Sequence, residues 1–116
     1  MSRKYRYEFT KKVHPNYIVF IKVNDKYVTY GLDLDIVNYL IDKNRVYSYK
    51  WKKYKKVNRF KLLDKERINY LILDNLDMVV KKDYNMDNSY DRYMTLIVLN
   101  KIIRSIGNNL VKTSLL

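Results

Sequence analysis

Tyr17-Ile18-Val19-Phe20-Ile21-Lys22-Val23-Asn24-Asp25-Lys26-Tyr27-Val28-Thr29-Tyr30-Gly31 is the stretch that decides the fold of this chain. Its two arms are rich in β-branched and aromatic residues, and they are joined by Asn24-Asp25, residue types that tolerate the positive φ angles of a tight hairpin turn. In the first arm Ile18, Phe20 and Val23 are mixed with Val19 and Ile21, which predicts a strand covered on both faces and placed inside a sheet. The second arm, 26–30, is shorter and more polar. Gly31 then releases the chain into an amphipathic run over 32–41, where Leu34, Ile36, Val37, Leu40 and Ile41 recur at three- and four-residue steps and share one buried helical stripe. Asp33 and Asp35 fall in the first turn of that helix. A carboxylate there meets the partial positive charge of the helix N-terminus, so a capping role is expected of both in preference to metal binding or acid-base chemistry.

Outward from this core the pattern continues. Residues 45–51 alternate, with Val46, Tyr47, Tyr49 and Trp51 against Arg45, Ser48 and Lys50, and read as one strand. Their continuation interleaves Lys50, Lys52, Lys53, Lys55 and Lys56 with Trp51 and Tyr54, a pattern that holds phosphates and stacks bases or else keeps a sheet edge soluble. Residues 58–67 predict a short helix capped by Asn58. The run 68–74, Ile68-Asn69-Tyr70-Leu71-Ile72-Leu73-Asp74, predicts a buried strand, and 77–82 a further one. Residues 82–89 are a loop rich in Asp and Asn. Asp83, Asn85 and Asp87 are spaced like the start of a calcium loop, but Asn88 and Met94 stand where its glycine and closing Glu belong, so calcium is not expected. From about 90 to 107 a last helix is expected, with Tyr93, Met94, Ile97, Val98, Ile102 and Ile106 at helical spacing, Ser89 as its cap and Gly107-Asn108 as its stop. It either closes the sheet or pairs with a second chain. Residues 1–16 are expected to be a basic, flexible arm ending at Pro15. Its Arg3, Lys4, Arg6, Lys11 and Lys12 read as a solvated tail, with attachment to phosphate as the alternative. One α/β (α+β) domain over 17–116, a mixed sheet with an N-terminal hairpin and flanking helices, is the resulting expectation.

At 116 residues, with 47% hydrophobic and 15% aromatic content, the chain has material for one modest core. Lys and Arg total 24 against 12 Asp and Glu, a net charge of +12, which makes nucleic acid the first partner to consider. Abundant Lys, Asn, Ile and Tyr offer a neutral explanation for part of that charge. There is no Cys, so disulfides and thiolate metal sites are excluded, and the lone His14 beside Pro15 reads as loop and builds no zinc site. No apolar run approaches the ~20 residues of a membrane span, and the charged first twelve residues lack the apolar centre of a secretory signal. A cytoplasmic protein without cofactor or metal is expected.

Catalysis is not expected. With only Gly31 and Gly107 there is no phosphate-cradling glycine loop, and no Cys nucleophile or Ser-His arrangement is visible. The acidic residues between Asp64 and Asp91 are scattered over a helix, a strand end and a loop, which does not describe a Mg²⁺ site.

From about Asn16 to Asp83, the hairpin Phe20 to Asp33, the helix after it and the run Ile68 to Asp74 resemble the N-terminal mismatch-recognition domain of the MutS family, and small stand-alone proteins of low-GC bacteria that carry only that domain. The resemblance implies a DNA-binding hairpin. In the family it carries a Gly, a polar residue and then Phe-Tyr-Glu, the Phe wedging beside the mispaired base and the Glu contacting it. Here the Gly falls at Asn24, the Phe at Lys26, the Tyr at Tyr27 and the Glu at Val28, so both mismatch-reading side chains are replaced. A lysine offers charge to phosphate where an apolar wedge would replace lost stacking. The expectation is a non-enzymatic, salt-sensitive and weakly specific DNA-binding protein that uses Lys22, Lys26, Tyr27, Val28, Lys50, Lys52, Lys53, Lys55 and Lys56. The alternative is a protein-protein interaction module, a homodimer through the C-terminal helix.

Overall fold

In the computed structural model, residues 2–45, 47–50, 52–54, 57–75 and 77–114 are described. Among these residues four α-helices, α1 (Arg3–Val13), α2 (Gly31–Asn44), α3 (Arg59–Lys65) and α4 (Tyr90–Ser114), and a 3-10 turn (Asn85–Asp87) accompany six strands, β1 (Ile18–Val23), β2 (Lys26–Val28), β3 (Tyr47–Ser48), β4 (Lys53–Tyr54), β5 (Tyr70–Asp74) and β6 (Asp77–Lys82). The main sheet runs β2-β1-β5-β6, with β1 antiparallel to β2 and parallel to β5, and β5 antiparallel to β6. This is an α+β fold with a mixed sheet.

The inner position read for β1 holds: residues 18–21 are buried on both faces. Ile18 and Phe20 join Ile36, Val37, Leu40, Leu63, Tyr70, Ile72, Tyr93 and Ile97 in a core under α2, α3 and α4. Val19 and Ile21 face the other way and join Leu71, Leu73 and Tyr7. Period-two alternation in β1 and β5 thus divides one sheet between two apolar layers. Asn24, at φ 55°, makes the hairpin turn, and Gly31, at φ +55°, starts α2 in a conformation that L side chains resist. The expected cap of α3 is present, because Asn58 Oδ1 accepts from the backbone N–H of Phe60 at 3.0 Å and of Lys61 at 3.2 Å.

Four expectations are corrected. Residues 3–13 are a helix rather than a flexible arm: Ser2 caps it and Tyr7 is buried under it against the sheet. Tyr5, Phe9 and Val13 recur at i, i+4 and i+8 but stay exposed, and the helix is anchored instead by buried Tyr7 and by the Lys11 ammonium. The expected single strand over 45–51 is not formed, since β3 ends at Ser48, Tyr49 and Lys50 are in a turn, Lys52 has φ 51°, and among the described residues β3 pairs with β4 alone. The cap of α4 differs from expectation as well. Ser89 Oγ donates to the Glu66 carbonyl, while Asn88 Oδ1 accepts from the N–H groups of Tyr90 and Asn69. Finally, Gly107 does not stop α4, which continues to Ser114.

Candidate functional site

Asp33 lies at the meeting point of α1, β1, α2 and α4, with its side chain fully inaccessible. Its Oδ2 accepts from Tyr7 Oη at 2.7 Å and from the Val19 N–H at 3.1 Å, and its Oδ1 accepts from Tyr90 Oη at 2.7 Å and Lys11 Nζ at 3.1 Å. The capping role expected of Asp33 is therefore replaced by a joint between four elements. Asp35 instead pairs with Lys101 at 2.7 Å on the surface. Lys11 Nζ also donates to the carbonyls of Pro15 and Tyr17 and sits 4.4 Å from the Tyr90 ring centroid. Burial, then the Asp33 charge, raises both the Tyr7 and Tyr90 phenols, while burial lowers Lys11 against the pull of Asp33. A carboxylate with four donors and no solvent access is a clamp; no substrate reaches it.

The hairpin residues named from sequence are not brought together. The register pairs Lys22 with Tyr27 and Val23 with Lys26, and paired residues share a face. Lys22 and Tyr27 therefore lie on the side of α2 and α3, and Lys26 and Val28 on the side of α1. Tyr27 stands edge-on to Phe60, with centroids 4.9 Å apart at 84°, so the ring kept from the resemblance packs inward. Val28 is half-buried. Lys50 and Lys52 are exposed on the turn between β3 and β4, and Lys53 is in β4. Lys55, Lys56 and the interleaved Trp51 lie outside the described residues.

Sequence reading missed two surfaces. At the first, Arg3 and Arg6 of α1 face a crevice of about 430 Å³ formed with the ends of β1 and β5, residues 21–24, 74 and 75. The signal was in the sequence, but assigning these arginines to a loose arm left them without a place. The second is α4. Its first half docks through Tyr90, Tyr93 and Ile97, whereas Leu99, Ile102, Ile103 and Ile106 are 50, 49, 64 and 55% exposed. Their spacing of i, i+3, i+4 and i+7 makes a second apolar stripe, which at about 100° per residue lies on the side of the helix away from Ile97. The single stripe read from sequence merged these two faces.

Among the described residues there is no group of three or more His, Cys, Asp or Glu that could hold a metal ion, and no helix long and apolar enough to cross a membrane. Comparison of the chain with protein-family models, with curated proteins and with solved structures finds no match.

Proposed function

We propose that this chain is a non-catalytic interaction module that self-associates through the outward stripe of α4. The observation that carries this reading is the run of Leu99, Ile102, Ile103 and Ile106 left exposed on a helix whose first half is already docked. A helix with an apolar stripe left in water gains by burying it against a partner. With Val98, 38% exposed, these side chains present on the order of 400 Å² of apolar surface, the size of patches that serve as contact sites. The chain's radius of gyration is 17.0 Å, against about 13 Å for a compact chain of this length, as expected when the distal half of α4 stands clear of the sheet.

A second copy is the occupant favoured by charge. The stripe is flanked by neutral Thr95, Asn100 and Gly107, while Lys101 and Arg104 project from the other side of the helix, Lys101 engaged with Asp35. Two stripes therefore meet without placing cations in the seam, despite a net charge of +12 per chain. An interface of this size, about half the ~800 Å² per partner of standard complexes, corresponds to micromolar rather than nanomolar association. Sedimentation velocity over a concentration series, with Ile103→Glu beside the parent chain, tests it. A reversible dimer abolished by Ile103→Glu is expected. A chain that stays monomeric, or a dimer indifferent to Ile103→Glu, refutes the reading.

A second reading, DNA binding, is supported by the resemblance to the MutS N-terminal domain, the net charge and exposed Lys26 and Lys52 at the tips of two hairpins. It requires affinity for duplex DNA that falls steeply with salt and is insensitive to a mismatch, since Lys26 stands where the family has its apolar wedge. Fluorescence anisotropy of matched and mismatched duplexes across a salt series decides it, and a flat salt response rejects it.

A further inference from the structure

β1 and β5 are neighbouring parallel strands whose exits diverge, β1 turning into β2 on one side and β5 into β6 on the other. Such a divergence opens a crevice at the carboxyl ends of the strands, where open α/β sheets take ligands. Here Asn24 and Asn75, at φ 55° and 56°, make the two exit turns, and α1 lays Arg3 and Arg6 across the opening. Asp74 lines the same crevice, yet the buried Nη2 of Arg6 has no hydrogen-bond partner among the described residues. A buried guanidinium nitrogen without an acceptor is costly unless an anion completes it. The first turn of α1 repeats the point: it contains no acidic residue and begins with Arg3 and Lys4, the sign that the helix dipole disfavours there.

Arg6 also borders a second cavity of about 310 Å³, between α1 and β5–β6, walled by Phe9, Val13, Leu73 and Met78 and reached by His14. Phe9 and Val13 are 61 and 60% exposed there. Burial, and then the Lys81 charge, hold the His14 imidazole below its ordinary range. The two cavities share one arginine, one being polar and cationic and the other mostly apolar.

We propose that this pair of cavities binds a phosphomonoester of nucleotide size, its phosphate held by Arg3 and Arg6 and its apolar body resting against Phe9, Val13, Leu73 and Met78. Arginine suits this because its planar fork meets two phosphate oxygens at once. Together the cavities fall in the size range of small-ligand sites. The site is independent of the α4 stripe.

Isothermal titration of the full chain with inorganic phosphate, AMP, adenosine and a single-stranded oligonucleotide lacking terminal phosphate separates the possible sources of the group. AMP is expected to bind at least about tenfold more tightly than inorganic phosphate, and adenosine not measurably. Arg6→Gln and Arg3→Gln are each expected to weaken AMP by about tenfold, and Lys61→Gln on α3 to leave it unchanged. If Arg6→Gln loses its native circular dichroism, Arg3→Gln, at an exposed position, carries the test. The proposal is overturned by no heat from AMP at about 5 mM, by equal weakening in Lys61→Gln, or by tight oligonucleotide binding without AMP binding, which would mark a phosphodiester track instead.

Discussion

Replacing Asp33 with Asn changes one oxygen for a nitrogen and removes one charge from the most connected buried group described. The carboxylate accepts four hydrogen bonds from two phenols, an ammonium and a backbone amide. An amide keeps one acceptor oxygen and turns its N–H groups toward one phenol, which can rotate and accept, and one obligate donor, Lys11 or the Val19 N–H, so at least one of the four bonds is lost. Hydrogen bonds to charged groups contribute about 1.5–3 kcal/mol each. The Lys11 ammonium, its side chain only 20% exposed, also loses its counter-charge, and breaking such a pair costs about 3–5 kcal/mol. The two effects share Lys11 and do not add, which leaves about 4 kcal/mol. That is a large part of the ~5–15 kcal/mol available to a small domain. Urea unfolding followed by circular dichroism should show the midpoint of Asp33→Asn lowered by about 2 M, given slopes of about 2 kcal/mol/M. Adding Lys11→Met to Asp33→Asn should restore part of the loss, because the unpaired cation is then gone. A midpoint shift below about 0.5 M, or no recovery in the double variant, would refute the clamp.

Raising pH should destabilise the fold. Burial lifts the phenols of Tyr7 and Tyr90 above their ordinary range, and burial together with Asp83 pushes Tyr17 up to about 12, so the folded chain holds protons that the unfolded chain releases near 10. Their contribution is full below about pH 10 and is lost as pH rises toward 12 and beyond, a fall to be followed as the urea midpoint between pH 8 and 11.5. An unchanged midpoint would contradict it. Gly31→Ala meets no atom within 4 Å of the added Cβ, so only the positive φ opposes it; a loss of about 1–2 kcal/mol in urea unfolding is expected. Gly107→Ala, also in open space but inside a helix, should instead gain about 1 kcal/mol of helix stability, read as increased ellipticity at 222 nm; a decrease would restore the helix stop read from sequence.

The elements legible in the sequence were those whose signal is local. The buried run 18–21, the Asn24-Asp25 turn, Ile36, Val37 and Leu40 of the α2 stripe, the Asn58 cap and the strand 70–74 are each fixed by residues close in sequence, whereas Leu34, read into the same stripe, is 40% exposed. α1 escaped because its helical spacing, Tyr5, Phe9 and Val13, is diluted by charged or polar neighbours and stays exposed, while its anchors Tyr7 and Lys11 find their partners far along the chain. The Asp33 joint escaped because its donors come from three other elements, which no spacing reveals. For the candidate sites the decisive quantity was register. Lys22 and Lys26 are four residues apart and look alike in sequence, yet pairing across the turn sends them to opposite faces. The stripe on α4 was visible as apolar residues, but which side of the helix was already occupied depends on the docking of Tyr93 and Ile97.

The span of the Asp33 joint has a consequence for the order of folding. Its partners lie 14, 22, 26 and 57 residues away along the chain. During synthesis α1 emerges well before α4, and until Tyr90 leaves the ribosome Asp33 and Lys11 lack the phenol that both of them contact. Contacts this distant in sequence close late, since the entropy of the intervening loop must be lost before they form. An early-made helix, α1, is thus secured late, and amide exchange during refolding should find the Val19 N–H protected in step with α4 rather than with the β1–β2 hairpin.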